Sequence, residues 1–178
     1  MARSDAKERM ARALVLLLED KEFDAVSIVD IVGMSGVSRS TFYRCFDSID
    51  DLVIYGYSRY LSDILEGPRP EFATFDEGLE YMAERVADVS WDARDELVVL
   101  HRRGLTPRML DAGKSLVSQL DMTSEDASFA LFHTSGIVGW MTVWFDEGMP
   151  GTRDDLRERL KMIALPGGYP ADRSGTSS

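Results

Sequence analysis

Apolar residues recur at spacings of three and four along most of the chain, and alternating polar-apolar runs are scarce, so the pattern predicts helices nearly throughout. Met10, Ala13, Leu14, Leu17 and Leu18 give a first helix one apolar face, with Ser4 as its expected N-cap and Lys21 to Asp24 as its end. A short second helix starts at Ser27, where Asp30 three residues on completes a variant capping box, and Ile28, Ile31 and Val32 form its buried set. Gly36 suits the positive φ of a tight turn, and Ser38 is placed to cap the next helix. That third helix, Arg39 to about Phe46, turns Phe42 and Phe46 inward with Val37.

The fourth helix is expected from Ser48, with Asp50 and Asp51 complementing its dipole. Its stripe of Val53, Gly56, Tyr57, Tyr60, Leu61 and Ile64 runs to the break at Gly67-Pro68-Arg69-Pro70. Phe75, Leu79, Met82, Val86 and Val89 mark a fifth amphipathic helix. Two shorter ones follow, near Asp92–Arg103 and Pro107–Leu120, the second read as Thr106 N-cap with proline at the first helical position. A long apolar helix spans Thr123 to Phe145. Thr152 and Asp155 cap a last one carrying Leu156, Leu160 and Ile163. The expected fold class is all-α: a three-helix head at 1–48, a helical regulatory and dimerisation body at 49–165, and a Gly/Ser/Pro-rich tail at 166–178 read as disordered.

Two short helices joined by a glycine turn and braced on both sides have the form of a helix-turn-helix. The start of the second helix must then present small or polar side chains to the major groove, and Ser38, Arg39, Ser40 and Thr41 do so. Arg39 suits a bidentate contact to a guanine edge, and Tyr43 and Arg44 project one turn on, towards the backbone. Ser27 stands at the start of the other helix, where free amides favour a phosphate. From spacing alone, a plain helical subdomain with Ser and Thr as caps fits the same residues.

Charge changes this picture only slightly. The chain has a formal net charge of −11, an obstacle for a nucleic-acid partner. Residues 1–46 are neutral, however, so the whole acidic excess lies in the remainder, where phosphate repulsion keeps the body off a duplex.

The string Ile31-Val-Gly-Met-Ser-Gly-Val-Ser-Arg-Ser-Thr-Phe-Tyr-Arg-Cys-Phe46, followed by Asp47-Ser-Ile-Asp-Asp-Leu52, resembles the TetR family of repressors over about residues 10–65. The resemblance implies that Ser27, Tyr43 and the start of the fourth helix bind phosphates, and that Arg39, Ser40, Thr41 and Arg44 face the groove. Two positions depart from the family pattern: Ile49 stands where lysine is usual, and Cys45 where histidine is frequent. Loss of one phosphate-neutralising cation implies a salt dependence lower by about one unit of slope and weaker binding. Ile49 and the neutral head also suit a second reading, a TetR-fold interaction protein with weakened or lost DNA binding.

Phe129 to Gly148, with Leu156 to Ile163, is similar to the last two helices of such regulators, which pair between subunits. Phe129, Phe132, His133, Gly136, Ile137, Trp140, Met141 and Trp144 are assigned to one face, with Ala130, Leu131, Val138, Val143 and Phe145 opposite. Phe132, Gly136, Trp140, Leu156, Leu160 and Ile163 are the candidate dimer contacts. A homodimer also follows from reading a palindromic operator, whose half-sites lie about 34–36 Å apart. A small-molecule effector is expected among helices five to eight, with Trp91, His101, Met109, His133 and Trp140 as candidate lining.

Several classes are excluded or disfavoured. No apolar stretch reaches the roughly 18 residues of a spanning helix, no secretory leader is evident, and the lone Cys45 fits a reducing cytoplasm. The chain has no phosphate-binding loop, nucleophile elbow or metal-ligand spacing, so neither an enzyme nor a cofactor is expected.

Overall fold

The structure is a computed structural model describing residues 2–164 apart from Arg69, Leu120 and Met122. The tail expected at 166–178, the extension of the seventh helix to Leu120 and the Phe75 side chain fall outside what is described. Helix α1 (Ala2–Asp20) leads through a 3-10 turn (Phe23–Ala25) to α2 (Ile28–Ser35) and α3 (Arg39–Cys45). The body follows as α4 (Ile49–Leu65), α5 (Phe75–Asp92), α6 (Arg94–Arg102), α7 (Arg108–Ser118), α8 (Ser124–Asp146) and α9 (Arg153–Ala164). Among the described residues there are nine α-helices and no strand, the all-α class expected from the periodicity.

Ser4 lies inside α1, which begins at Ala2, so Ser4 is not its cap; Ala2, a strong helix former, carries the helix upstream of it. The other capping signals act much as their sequence implies. Ser27 and Ser48 both close capping boxes, and Thr74, Thr123 and Ser38 accept from the amide three residues on. Thr106 departs from expectation. Pro107 precedes α7 as its N-cap, while the buried Thr106 hydroxyl lies 3.0 Å from His101 Nδ1. A proline N-cap supplies no side-chain acceptor, so the hydroxyl is free for the histidine.

The head packs around Met10, Leu14, Leu18, Ile31, Phe42 and Phe46, all buried, with Phe42 fully so. Helix α4 leaves the head and carries Tyr57 and Tyr60 into the body. Tyr60 Oη lies 2.8 Å from Ser90 Oγ, and both residues are buried; burial pushes this phenol up to about 12. Helix α9 lies along α5. Leu156 and Leu160 fill the seam, flanked by Arg157 on Asp88 (2.7 Å), Lys161 on Glu84 (2.6 Å) and the Arg153–Asp92 pair.

Arginines from later helices terminate α1 and α4. Neither α1 nor α4 has a basic residue in its own last turn. Arg103, just past α6, donates to the carbonyls of Leu18 (2.8 Å) and Glu19 (3.1 Å) and pairs with Glu22. Arg85 on α5 does the same for α4, donating to the carbonyls of Asp63 (2.6 Å) and Glu66 (2.7 Å). Arg108 at the start of α7 pairs with Asp50 in the first turn of α4 at 2.7 Å. The Arg103 and Arg85 contacts satisfy carbonyls that a helix end otherwise leaves to water.

Candidate nucleic-acid interface

Helix α2 ends at Gly36, whose φ of 66° is left-handed backbone that costs glycine little, and this turn redirects the chain into α3. Ser38 then caps α3 by accepting from the Thr41 amide at 3.2 Å. Phe42 and Phe46 point into the core with their rings 5.8 Å apart, which fixes the opposite edge of the helix outward. On that edge Ser38, Arg39, Ser40, Tyr43 and Arg44 are exposed, and Thr41 is half-buried. Their polar atoms already order one another. Ser38 Oγ lies 2.9 Å from both Ser40 Oγ and Thr41 Oγ1, and Arg44 Nη2 donates to Thr41 Oγ1 at 3.2 Å. Arg39 Nη2 donates to Tyr43 Oη at 3.3 Å, with its guanidinium 5.7 Å from that ring's centre. The result is a two-turn helix with one greasy face and one face of hydroxyls and guanidinium donors.

Ser27, the expected phosphate contact at the start of α2, is exposed and closes that helix's capping box. Its N–H (2.9 Å) and its hydroxyl (2.6 Å) both donate to Asp30 Oδ2. These bonds, with Lys21 2.9 Å away, hold the Asp30 carboxyl well below the usual carboxylate range. At the other end of the unit, Ile49 opens α4 half-buried against the core, and Cys45 is likewise half-buried.

Residues 12–55 match the model for bacterial regulatory proteins of the tetR family. The helix-turn-helix segment is thus similar to that of the tetR family. The matched segment runs from α1 through the whole helix-turn-helix into α4. The complete chain is similar in fold to a TetR transcriptional regulator from Streptococcus agalactiae, with a TM-score of 0.57 at 15% identity over 93% of this chain and 96% of that one. It is also similar to the TetR family repressor AlkX from Dietzia sp., implicated in biodegradation of n-alkanes, with a TM-score of 0.50 at 19% identity over 89% and 92%. Among curated proteins, none matches the chain in sequence. The chain therefore shares the fold of these two regulators, and the tetR-family match lies in its head.

Behind that head, the residues expected to line an effector pocket do not converge. Met109 is fully buried in the core. Trp91 and Trp140 both lean on Trp144, with ring centres 6.5 and 5.9 Å away, and Arg94 lies over Trp91. His101 is held by Thr106 and by Asp146 Oδ1, 3.0 Å from Nε2. His133 lies between the rings of Phe129 and Phe132. Two open clefts, each about 470 Å³, contain none of these five side chains. One lies at the junction of head and body, between Glu22, Asp24 and Asp50 on one side and Arg103 and Arg108 on the other. The second is a polar trough between α1, α4 and α5. Among the described residues, no group of three His, Cys, Asp or Glu side chains is arranged to hold a metal ion.

The candidate dimer contacts divide. Leu156 and Leu160 are buried within this chain against α5 and are unavailable to a second copy, since α9 needs its apolar stripe to dock on its own body. Ile163 and Phe132 are exposed, Phe132 at 76%, Gly136 is exposed and Trp140 half-buried. The two faces assigned to α8 also need regrouping: Met141 and Trp144 turn inward with Val138 and Phe145, whereas Val143 joins Phe129, Phe132, Gly136 and Gly139 outside. Neither glycine has an atom near the position its missing Cβ would take. Sequence reading missed the contacts of Arg103 with α1 and of Arg108 with α4; each grips a residue far away in the chain, and no local spacing signals that.

Proposed function

We propose that this chain is a sequence-specific DNA-binding transcriptional regulator that acts as a homodimer, represses from a palindromic operator and releases it in response to a small-molecule effector. The outer edge of α3 supports this reading most directly. It offers Arg39, Ser40, Tyr43 and Arg44 from a helix narrow enough for the major groove, with the inner face locked by Phe42. The head is taken as residues 1–48 and the body as 49–165. Arg39 reads a base edge, Ser38, Ser40 and Thr41 touch bases or phosphate, and Tyr43 and Arg44 flank the groove. Ser27, at the exposed start of α2, touches phosphate.

The exposed stripe Phe129, Phe132, Gly136, Gly139 and Val143 supports dimerisation through α8, where the two glycines let a second backbone come close. The Arg103 and Arg108 contacts supply a route from the body to the head. An effector that moves α6 or α7 would alter both, and with them the pose of α1 and α4. The fold kinship to a repressor supports the sign of the regulation.

The test is enrichment of genomic fragments on the immobilised protein at low and physiological salt. The expected outcome is a palindromic site retained by the wild type and lost by Arg39→Ala combined with Tyr43→Ala. Absence of enrichment even at low salt would favour the interaction-protein reading, for which half-buried Ile49 and the neutral head remain the supporting features.

A further inference from the structure

Charges at the corner between α3 and α4 do not cancel evenly. Lys7, on α1, holds its ammonium 5.3 Å from the centre of the Phe46 ring and 5.1 Å from that of Tyr55. The two rings are 5.5 Å apart, so a single cation lies over a pair of packed aromatic faces. Aromatic quadrupoles hold a cation without neutralising it. Two other cations of the head are matched by carboxylates, Arg9 by Asp5 and Lys21 by Asp30, whereas Arg39 bonds Tyr43 and Arg44 bonds Thr41. Lys7 forms no ion pair among the described residues.

The acids around this corner are engaged elsewhere. Glu8 pairs with Arg59 at 3.4 Å, and Asp50 pairs with Arg108. Asp51 accepts from the amides of Asp47 and Ser48, both at 3.1 Å. Asp47 is the exposed acid that remains to oppose Lys7. The place of the corner matters as much as its charge. Helix α3 has seven residues, roughly 10 Å of rise, against a major groove about 12 Å wide. When α3 is seated in the groove, the turn at Phe46 comes to the groove's edge, where phosphates run.

We propose that Lys7 is a phosphate-backbone anchor of this head, its stem braced on Phe46 and Tyr55 and its ammonium gripping the strand that passes the α3–α4 corner. The proposal rests on the DNA-binding reading and adds one contact to it. Phosphate contacts carry register and affinity without sequence information, so Lys7 governs salt dependence and leaves operator choice to α3.

The experiment measures binding of the full chain to a labelled random-sequence duplex over a series of salt concentrations. Wild type and Lys7→Arg are expected to share one slope of log affinity against log salt. Lys7→Gln is expected to lower its magnitude by about one and to weaken binding about three- to ten-fold at physiological salt. A Lys7→Gln protein with the wild-type slope overturns the proposal and leaves the DNA-binding reading standing. Wild-type protein that shows no salt-dependent binding overturns both. Adding Ile49→Lys to Lys7→Gln puts a cation back at the same corner: a restored slope confirms that charge was lost, and an unrestored slope shows that Lys7 only packs.

Discussion

Asp30 shows how one carboxylate sets the stability of the reading unit. Its pKa in the folded chain lies well below the ordinary 3.8, chiefly because Ser27 and Lys21 hydrogen-bond the charged form. A depressed carboxylate stabilises the fold above its unfolded pKa and loses that contribution as pH falls through the folded value. Asp30→Asn is therefore expected to melt below wild type at neutral pH, with the gap closing from about pH 4 downward and absent in strong acid; thermal melts across pH check this. Phe42 carries a larger share. Fully buried beneath the groove-facing edge, its truncation to alanine should cost about 3–5 kcal/mol in denaturant titrations and remove DNA binding with the fold. Arg39 and Tyr43 differ again, since they hold each other before any DNA arrives. Their single alanine variants should lose operator affinity by amounts that do not add, which a double-mutant cycle in binding would detect.

At the scale of elements, the α5–α9 seam sets apolar packing against charge. Leu156 and Leu160 are 2% and 3% exposed, whereas the Arg157–Asp88 and Lys161–Glu84 pairs sit partly in solvent. Exposed pairs contribute about 0–1 kcal/mol each, and a buried leucine cut to alanine about 2–5. Leu160→Ala should accordingly destabilise the body several times more than Arg157→Ala. Only the Arg157→Ala effect should shrink as salt is raised, and urea titrations at two ionic strengths would separate the two. The helices themselves were legible in the sequence because capping residues and three-four spacing are local signals: Ser27 with Asp30, Gly36, Ser38, Ser48 and Thr123 all do what their neighbours imply. Thr106 misled because its alternative partner, His101, lies across a turn whose geometry spacing does not encode.

Across the whole molecule, legibility falls off with distance along the chain. The exposed polar edge of α3 could be read from residues within one helix. The faces of α8 could not, because a helix apolar all round does not say which side meets its own body. Nor could spacing tell that α9 turns Leu156 and Leu160 onto α5 while α8 leaves Phe132 outside. That outward stripe should bring two chains together, so Phe132→Glu is expected to sediment as a monomer, keep its helical content and lose most operator affinity.

The arginine at the end of α6 has a consequence of its own. Arg103 holds the final carbonyls of a helix whose sequence is more than 80 residues away, so the length of α1 is set outside α1. A stretch corresponding to the head alone would be a helix without its stop, unravelling inward from Asp20 towards Leu17. Opening that one guanidinium's grip is expected to shorten the beam on which α2 and α3 are mounted, so the point at which a helix ends is fixed from a distant part of the chain.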